Sequence, residues 1–376
     1  MKVLLIAGAR PNFMKIAPIH RAANQIEGLD CRIVHTGQHY DYEMSSSFFE
    51  DLEIARPDFF LEAGSGSHAI QTAKIMVAFE EVCLRERPDW VIVVGDVNST
   101  IACSITAKKL MIKVAHVEAG LRSFDLCMPE EINRMVTDSI TDCFFVTEES
   151  GTANLIHEGK PAERIHFVGN VMVDNLFHQL EILESENPEQ YSVCRLKKEK
   201  NPYIFLTLHR PSNVDNREIF QGITSALNEI AVNQPILFPV HPRTKKMIDY
   251  FNINFSENVI LLPPLGFRES LLLWKDARAV MTDSGGLQEE TTALGVPCIT
   301  IRENTERPIT LTSGTNILAG TKKEGILSAY QSIPERTVNY SAPPKWDGRA
   351  AERIWSVLAA PAYQHPKGAR EGEQCK

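Results

Sequence analysis

The sequence has few of the features that mark a metalloprotein, a disulfide-rich protein or a membrane protein. Its eight cysteines are scattered, without a C-x-x-C pair or a His/Cys spacing typical of zinc, and they suit a reducing compartment. No apolar run approaches the ~18 residues that a membrane-spanning helix needs. We therefore expect a cytoplasmic protein with no metal site and no membrane contact.

Positive charge is also scarce. The chain has 39 Lys and Arg residues against 48 Asp and Glu residues, a formal net charge of −9, which argues against general nucleic-acid binding. An anionic ligand must therefore be bound by a local cluster of donors. With 376 residues, the chain is long enough for two domains of ordinary size.

A credible dinucleotide fingerprint is missing as well. The segment GSGSHA, residues 64–69, formally matches G-x-G-x-x-A. It follows the short run FFL instead of a full strand, and it does not lie at the first strand-to-helix turn. We therefore predict no nicotinamide cofactor.

What the sequence does contain is a repeated alternation of short β-rich runs and helical stretches. In the first half a helix from about Pro18 follows the first run, and another begins at about Val173. Such a rhythm predicts a parallel sheet covered by helices on both faces. The β-rich runs of the first half are KVLLIAG, CRIVHTG, WVIVVGD, KVAHVEAG, CFFVTEES and RIHFVGN.

The alternation stops at a polar stretch, residues 184–202, which we interpret as a linker, and then restarts with YIFLTLHR, PILFPVHP, NVILLPPLG and RAVMTDSGG. We predict an α/β protein with two Rossmann-like domains that face a central cleft. The predicted domains are 1–172 plus 352–376, with a C-terminal helix returning to the first domain, and 173–351.

Acidic side chains follow the apolar runs of the first half. Asp96 comes after WVIVV and Glu118 after KVAHV, where an α/β sheet binds its ligands. Glu130 opens a helix in MPEEINR, with Arg134 at i+4. An acid in a first helical turn stabilises the helix dipole whatever the function, so Glu130 has a purely structural alternative. Together the three acids are a candidate acid–base cluster.

Two further segments look suited to anions. GARPNFMK places Arg10 and Lys15 at the first strand-to-helix turn, where an Arg can bind phosphate bidentately. In TDSGGLQEETTALG, the residues Ser284, Gly285 and Gly286 precede a helix whose N-terminal N–H groups attract anions. The alternative for the second segment is a helix cap without a ligand. Glu289 and Glu290 on that helix suit ribose hydroxyls, although either acid taken alone also fits an ordinary surface charge.

Histidine and arginine follow strands of the second half. His209 and Arg210 lie in TLHRPSN, and His241 lies in FPVHPRT. A histidine that titrates near neutrality can donate a hydrogen bond to phosphate. Each of these residues taken alone has a structural explanation of equal weight.

A series of segments, in this order, resembles the non-hydrolysing UDP-N-acetylglucosamine 2-epimerase family over about residues 1–320. The resemblance implies the glycosyltransferase-B architecture and the interconversion of UDP-GlcNAc and UDP-ManNAc without a redox cofactor. It also implies a homodimer. The segments are GARPNFMK, TGQHYD, GDVNST, HVEAGLRSFD, PEEINR, HR, PVHPRT, DSGGLQEE and TERP.

This reaction has a specific chemical requirement. The C2 proton of the sugar is flanked by no carbonyl, so its direct removal gives an unstabilised carbanion. Elimination avoids this carbanion, because UDP leaves as C2 loses its proton and a 2-acetamidoglucal stays bound. Inversion then needs proton-transfer groups on both faces of the sugar, which explains several carboxylates in one site.

The resemblance also implies roles for particular residues. The implied catalytic residues are Asp96, Glu118, Glu130 and His209. The implied substrate and UDP contacts are Arg10, Lys15, Arg134, Ser284, Gly285, Gly286, Glu290 and Arg307. An allosteric UDP-GlcNAc site, found in some bacterial members, would use Gln38, Arg210 and His241. The sequence departs from the family pattern at Ala9 in GARP and at Ile309 in TERPIT.

Three other functions fit parts of this pattern. A glycosyltransferase of the same architecture would use the same anion site with fewer acids. A hydrolysing epimerase would release UDP and free ManNAc. A nucleotide-sugar-binding regulator would lack turnover, which the acid cluster argues against. A related substrate, such as a diacetamido-uronic acid sugar, is also compatible with these residues.

Overall fold

The chain folds into two compact units. The computed structural model describes residues 1–37, 53, 56–333 and 342–363. Unit 1 comprises Met1–Asn175 with Asp347–Lys376, and unit 2 comprises Leu176–Trp346. The boundaries predicted from the sequence, 172/173 and 351/352, fall nearby, and the division into domains at those positions stays a prediction.

Unit 1 is built on a seven-stranded parallel sheet with the order β3-β2-β1-β4-β5-β6-β7. All five residues of WVIVV are buried, as expected of a central strand covered on both faces. The strands are β1 (Lys2–Ala7), β2 (Asp30–His35), β3 (Phe59–Phe60), β4 (Trp90–Val94), β5 (Lys113–Val117), β6 (Cys143–Val146) and β7 (Ile165–Phe167).

The helices of unit 1 follow the strands in the expected alternation. The first begins at Arg10, not near Pro18, which lies inside it. Pro11 occupies the first turn, where a missing N–H costs no helical hydrogen bond. The helices are α1 (Arg10–Ala23), α2 (His68–Glu86), α3 (Asn98–Lys109), α4 (Pro129–Ile140), α5 (Glu149–His157), α6 (Val171–Ser185) and the C-terminal α15 (Ala350–Leu358).

Unit 2 repeats the plan with a six-stranded parallel sheet of order β10-β9-β8-β11-β12-β13. One apolar cluster covers the sheet, including Phe220, Phe238 and Met281. The strands are β8 (Ile204–Thr207), β9 (Ile236–Pro239), β10 (Val259–Leu262), β11 (Ala279–Thr282), β12 (Cys298–Thr300) and β13 (Asn316–Leu318).

The stretch 184–202 is not a linker, so this prediction is wrong. It contains the helix α7, Val193–Lys200, in which Val193 and Cys194 are buried, and Lys197 lies 2.5 Å from Asp276 of the same unit. Two adjacent apolar residues anchor a segment whose other positions are mostly charged, and composition alone does not reveal that. The unit boundary instead falls inside α6.

The other helices of unit 2 lie between its strands along the chain. They are α8 (Pro211–Val214), α9 (Arg217–Ala231), α10 (Pro242–Phe251), α11 (Phe267–Trp274), α12 (Gly285–Leu294), α13 (Pro308–Thr312) and α14 (Lys323–Gln331). Short 3-10 helices occupy Ala162–Arg164 in unit 1 and Pro188–Gln190 in unit 2.

Both sheets share one topological feature. The strand order reverses between β1 and β4 in unit 1, and between β8 and β11 in unit 2. In such doubly wound sheets, ligands bind beyond the carboxyl ends of the strands at this reversal. The predicted α/β class with two Rossmann-like parallel sheets is therefore confirmed, and each sheet has one expected ligand edge.

The helix α15 joins unit 1 from the far end of the chain. The indole Nε1 of Trp355 donates to the carbonyl of Ile19 in α1 at 2.8 Å. Across the part of the chain that the structure describes, no helix is long and apolar enough to cross a membrane.

Candidate active site

The loop after β1 is tied to the neighbouring strand β4. The Asn12 side chain accepts from the N–H groups of Gly8 and Ala9 at 3.3 and 3.0 Å, and it donates to the carbonyl of Val94 at 3.2 Å. Arg10 begins the helix α1 in this loop. The loops that follow β1 and β4 therefore lie side by side at the strand-order reversal of unit 1.

Glu118 forms a buried ion pair just after β5. Its Oε2 lies 2.5 Å from the Nζ of Lys15, and Glu118 is 4% exposed. The backbone of Glu118 has a φ of 70°, a left-handed conformation that is uncommon for a residue with a side chain. Removing a charge from water is costly unless it has a partner, and here Lys15 and Glu118 are each other's partner. The structure thus places two predicted residues, Lys15 of α1 and Glu118 after β5, in direct contact.

Asp96 is bound to the helix α4. Its Oδ2 lies 2.5 Å from the guanidinium of Arg134, and its carbonyl accepts from the Asn133 amide at 2.8 Å. The Asp96 side chain keeps 28% of its surface exposed, in contrast to Glu118. Asp96 can therefore reach a ligand while Arg134 fixes its orientation.

Glu131 is a structural acid that the sequence reasoning missed in favour of its neighbour Glu130. It accepts from the N–H groups of Ser123 and Phe124 at 2.9 and 3.0 Å, and it pairs with Arg134 at 2.7 Å. Burial raises its pKa, but these hydrogen bonds outweigh burial and hold the pKa below the usual value. The one available signal was the i, i+3 spacing to Arg134. Glu130 itself is half-buried at the start of α4.

In unit 2, His209 is oriented by a buried carboxylate. Its Nδ1 lies 2.9 Å from Oδ1 of Asp283, and the N–H groups of His209 and Arg210 donate to the same Asp at 2.9 Å. Burial raises the pKa of Asp283, yet the His209 hydrogen bond and charge bring it below its ordinary value. Because Nδ1 faces the carboxylate, Nε2 points away from it and can meet a ligand. Sequence reasoning did not single out Asp283, although it directly precedes Ser284.

The N-terminus of α12 has the features of an anion site. Ser284 is the residue before the helix, and its side chain makes no capping hydrogen bond. A Cβ added at Gly285 would meet nothing within 4 Å, so open space adjoins the first helical N–H groups. These N–H groups and the positive end of the helix dipole attract a phosphate. Gly286 is the next residue of this helix.

Two acids one turn into α12 have different environments. Glu290 is buried, and burial together with the charge of Glu289 raises its pKa to about 8. Glu289 pairs with Arg307, with 3.0 Å between Oε1 and Nε. Arg307, which immediately precedes α13, is thus held beside α12.

Two of the three residues of the predicted allosteric set lie next to His209. The rings of His209 and His241 have centroids 5.7 Å apart, and the Arg210 Nε donates to the carbonyl of Asp283 at 2.9 Å. Gln38 lies outside the described residues. The structure therefore groups Arg210 and His241 with the predicted diphosphate contact His209.

Comparisons with known proteins identify the family of this chain. The sequence model of the family described as UDP-N-acetylglucosamine 2-epimerase matches residues 21–359. A protein of that name from Methanocaldococcus jannaschii is 42% identical over 369 residues, covering 96% of this chain and 100% of the relative. The crystal structure of the M. jannaschii UDP-GlcNAc 2-epimerase in complex with UDP-GlcNAc and UDP has a TM-score of 0.84, covering 95% of this chain and 99% of that one.

A second named activity also occurs among the relatives. The UDP-2,3-diacetamido-2,3-dideoxy-D-glucuronate 2-epimerase of Pseudomonas aeruginosa is 38% identical, covering 96% of this chain and 99% of the relative. Both named activities invert carbon 2 of a UDP-linked amino sugar. The chain belongs to the UDP-N-acetylglucosamine 2-epimerase family.

Proposed function

We propose that the protein interconverts UDP-GlcNAc and UDP-ManNAc without hydrolysis. UDP leaves the anomeric carbon as C2 loses its proton, a 2-acetamidoglucal stays bound, and UDP adds back after C2 is protonated on the opposite face. The route is redox-neutral and uses no nicotinamide. Two observations support the proposal. The protein is similar to relatives named for this activity, and it has carboxylates at the strand ends of unit 1.

The observation that carries most weight is that Asp96 and Glu118 follow the adjacent parallel strands β4 and β5. Each has a cation within 2.5 Å, Arg134 for Asp96 and Lys15 for Glu118. Two carboxylates on adjacent strands can approach a sugar ring from different sides. In the proposal they transfer protons at C2, with Glu130 as a third acid, and either Asp96 or Glu118 removes the proton.

Unit 2 binds the leaving group in this proposal. Ser284 and the backbone of Gly285 and Gly286 bind the diphosphate together with Nε2 of His209, and Arg10 of unit 1 adds a further donor. Glu290 accepts from the ribose, and Arg307 contacts the phosphates or the sugar. Donors aimed at the departing diphosphate stabilise its developing charge and lower the barrier.

The reaction places a requirement on the whole chain. Glycal and UDP must remain together until re-addition, because capture by water would give hydrolysis. We propose that both Lys15 and Arg134 support the acid cluster of unit 1. Gln38, Arg210 and His241 are proposed to bind a second UDP-GlcNAc, which predicts sigmoidal initial rates.

A cytoplasmic homodimer is proposed as the working form. The helix α2 carries three exposed apolar residues at seven-residue intervals, Ile70, Val77 and Leu84. Seven residues are close to two helical turns, so the three side chains lie along one face. An apolar face of this kind supports association with a second copy.

The deciding experiment incubates the purified protein with UDP-GlcNAc alone in D2O. We expect a mixture of UDP-GlcNAc and UDP-ManNAc, with deuterium at C2 of the product. Retention of protium at C2 would contradict elimination. Free ManNAc with UDP would indicate a hydrolysing enzyme, and unchanged UDP-GlcNAc without an acceptor would favour a glycosyltransferase.

The same assay discriminates between the two substrates named among the relatives. UDP-GlcNAc and UDP-2,3-diacetamido-2,3-dideoxy-D-glucuronate are compared at equal concentration by the ratio of their kcat/KM values. We expect UDP-GlcNAc to be preferred. A strong preference for the diacetamido-uronate would contradict UDP-GlcNAc as the substrate, although the reaction would still be a 2-epimerisation.

A further inference from the structure

We propose that a buried network of Arg122, Asp138 and His116 positions the two loops that carry Asp96 and Glu118. Together the three residues contact the backbone of both loops. The inference rests on the proposed function for its kinetic consequence. Its structural consequence can be measured without a substrate.

Asp138 is the centre of this network. It lies on α4 with no exposed surface, and it has donors on both carboxylate oxygens. Oδ1 lies 2.7 Å from Nδ1 of His116, and Oδ2 lies 2.8 Å from Arg122 and 3.0 Å from the N–H of Gly120. A buried carboxylate is tolerated when its oxygens are satisfied in this way. Burial raises its pKa, but the nearby His116 and Arg122 hold that pKa below the usual value.

His116 extends the network to the Asp96 loop. Its Nε2 lies 2.9 Å from the carbonyl of Gly95, and a carbonyl only accepts, so Nε2 is the donor. Gly95 immediately precedes Asp96 and has a φ of 67°. A Cβ at Gly95 would lie 3.1 Å from Nζ of Lys15, so this turn sits closely against the Lys15–Glu118 pair. The position of the Gly95 carbonyl therefore helps to set where Asp96 stands.

Gly120 connects the network to the Glu118 loop. It lies two residues beyond Glu118, and its N–H donates to Asp138. Its φ is 77°, and a Cβ there would come within 2.3 Å of the carbonyl of Gly151. Glu118 has a left-handed backbone, which a residue with a side chain keeps only when the surrounding contacts determine it, whereas Gly120 adopts this conformation without strain. The hydrogen bond from Gly120 to Asp138 is one of those contacts.

One carboxylate is thus linked to both loops. Asp138 contacts His116, which donates to the carbonyl of Gly95, the residue before Asp96. Asp138 also accepts directly from the N–H of Gly120, in the loop after Glu118. A reaction that inverts C2 depends on where these two acids stand relative to one sugar. A displacement of about 1 Å at a reacting group can cost about 100-fold in rate.

The chain offers a matched control at the opposite end of β5. Asp142 also accepts a backbone N–H, that of Val114 at 2.8 Å, and pairs with Lys108 at 2.8 Å. Val114 is at the start of β5, whereas Glu118 and Gly120 follow its end. Asp142→Asn therefore removes the same kinds of contact without reaching the proposed site.

The test compares Asp138→Asn with Asp142→Asn. With folding verified by circular dichroism, we expect Asp138→Asn to lower kcat about 10- to 100-fold with KM nearly unchanged. Asp142→Asn should keep a kcat close to that of the wild type. Equal losses in both variants, or a folded Asp138→Asn with full kcat, would overturn the proposal.

A second variant pair covers the case in which Asp138→Asn does not fold. Arg122→Lys keeps a cation for Asp138 and should retain more kcat than Arg122→Gln. An equal effect of the two substitutions would count against the network.

Hydrogen–deuterium exchange supplies the readout that needs no substrate. We expect faster amide exchange in 95–97 and 118–122 for Asp138→Asn but not for Asp142→Asn. Unchanged exchange in these segments overturns the positioning network. A wild-type protein that shows no epimerisation, together with the expected exchange, overturns the proposed function alone.

Discussion

Two cations, Lys15 and Arg134, determine the surroundings of the carboxylates in unit 1. Glu118 is almost fully buried against Lys15, whereas Asp96 shares Arg134 with Glu131 and remains partly exposed. A carboxylate beside a fixed cation has a fixed orientation, which suits proton transfer at one atom of a bound sugar. In the proposed elimination, this difference in exposure fits distinct roles for the two acids on the two faces of the sugar.

The first residue-scale prediction concerns these acids. Asp96→Asn and Glu118→Gln should each lower kcat by about two to four orders of magnitude, because each removes a proton-transfer group while keeping the side-chain shape. Coupled assays of UDP-ManNAc formation measure the loss. The exposed acid Glu149 of the same unit gives the control Glu149→Gln, which should keep its activity. Full activity of both acid variants would refute their catalytic role.

A second prediction at this scale concerns the pH dependence of stability at Glu290. The folded protein holds the Glu290 proton up to a pKa of about 8, against an ordinary value of 4.5. Between these values the native state binds more protons than the unfolded chain does. The contribution of this group to the free energy of unfolding therefore falls as pH rises from 4.5 towards about 8.

Glu290→Gln removes this titration. Relative to the wild type, the variant should become progressively more stable as the pH is raised through that window, as measured by urea unfolding at several pH values. Glu324→Gln, at an exposed glutamate of the same unit, is the control and should follow the wild-type curve. A Glu290→Gln curve parallel to that of the wild type would contradict a raised pKa.

At the scale of elements, the C-terminal helix α15 depends on a residue remote in the chain. The N–H groups of Ala350 and Ala351 donate to the Asp174 carboxylate at 3.0 and 2.7 Å. These are two of the donors that a helix N-terminus leaves unsatisfied, and an acid there also interacts favourably with the positive end of the helix dipole. The contact joins α15 to α6 within unit 1.

Asp174→Ala should therefore reduce the free energy of unfolding by about 1–2 kcal/mol, the usual cost of losing a helix cap. Chemical denaturation measures the change. Glu352, in the first turn of the same helix, pairs with its near neighbour Arg349 at the surface, so Glu352→Ala should cost much less. Equal costs for both substitutions would show that Asp174 does not act as the cap.

At the scale of the whole molecule, the exposed face of α2 bears on assembly. Val77 is 66% exposed at the centre of the Ile70–Val77–Leu84 stripe. A charge placed there would be desolvated without a partner if a second copy covers the face. We therefore expect Val77→Glu to shift the protein from dimer to monomer in sedimentation analysis.

The control for this substitution is Val232→Glu. Val232 is also well exposed, at 74%, but lies in unit 2 outside the stripe. It should leave the oligomeric state unchanged. A dimer that persists in Val77→Glu at micromolar concentration would place any interface elsewhere.

Local pattern predicted most elements of both units. The helix α4 begins at Pro129, as PEEINRMVTDSI suggests, and the apolar runs before Asp96, Glu118 and His209 are strands. Two predictions were wrong, a helix start at Pro18 and a linker over 184–202. Both were inferred from local composition, which does not show which residues are buried. Proline and polar residues were taken as boundaries, but neighbouring helices and strands supply enough packing to continue α1 and to form α7.

By itself, the sequence determined the alternation of strands and helices, because hydrophobic periodicity and turn residues act over a few positions. It also placed acids and glycines at strand ends, and parallel strands bring those ends to one edge of a sheet. Only the tertiary structure decided which charges meet. Lys15 with Glu118, His209 with Asp283 and Asp138 with His116 are pairs whose members are far apart in the chain. An ion that is buried away from water needs a partner of opposite charge. Only the packed fold determines which partner is near.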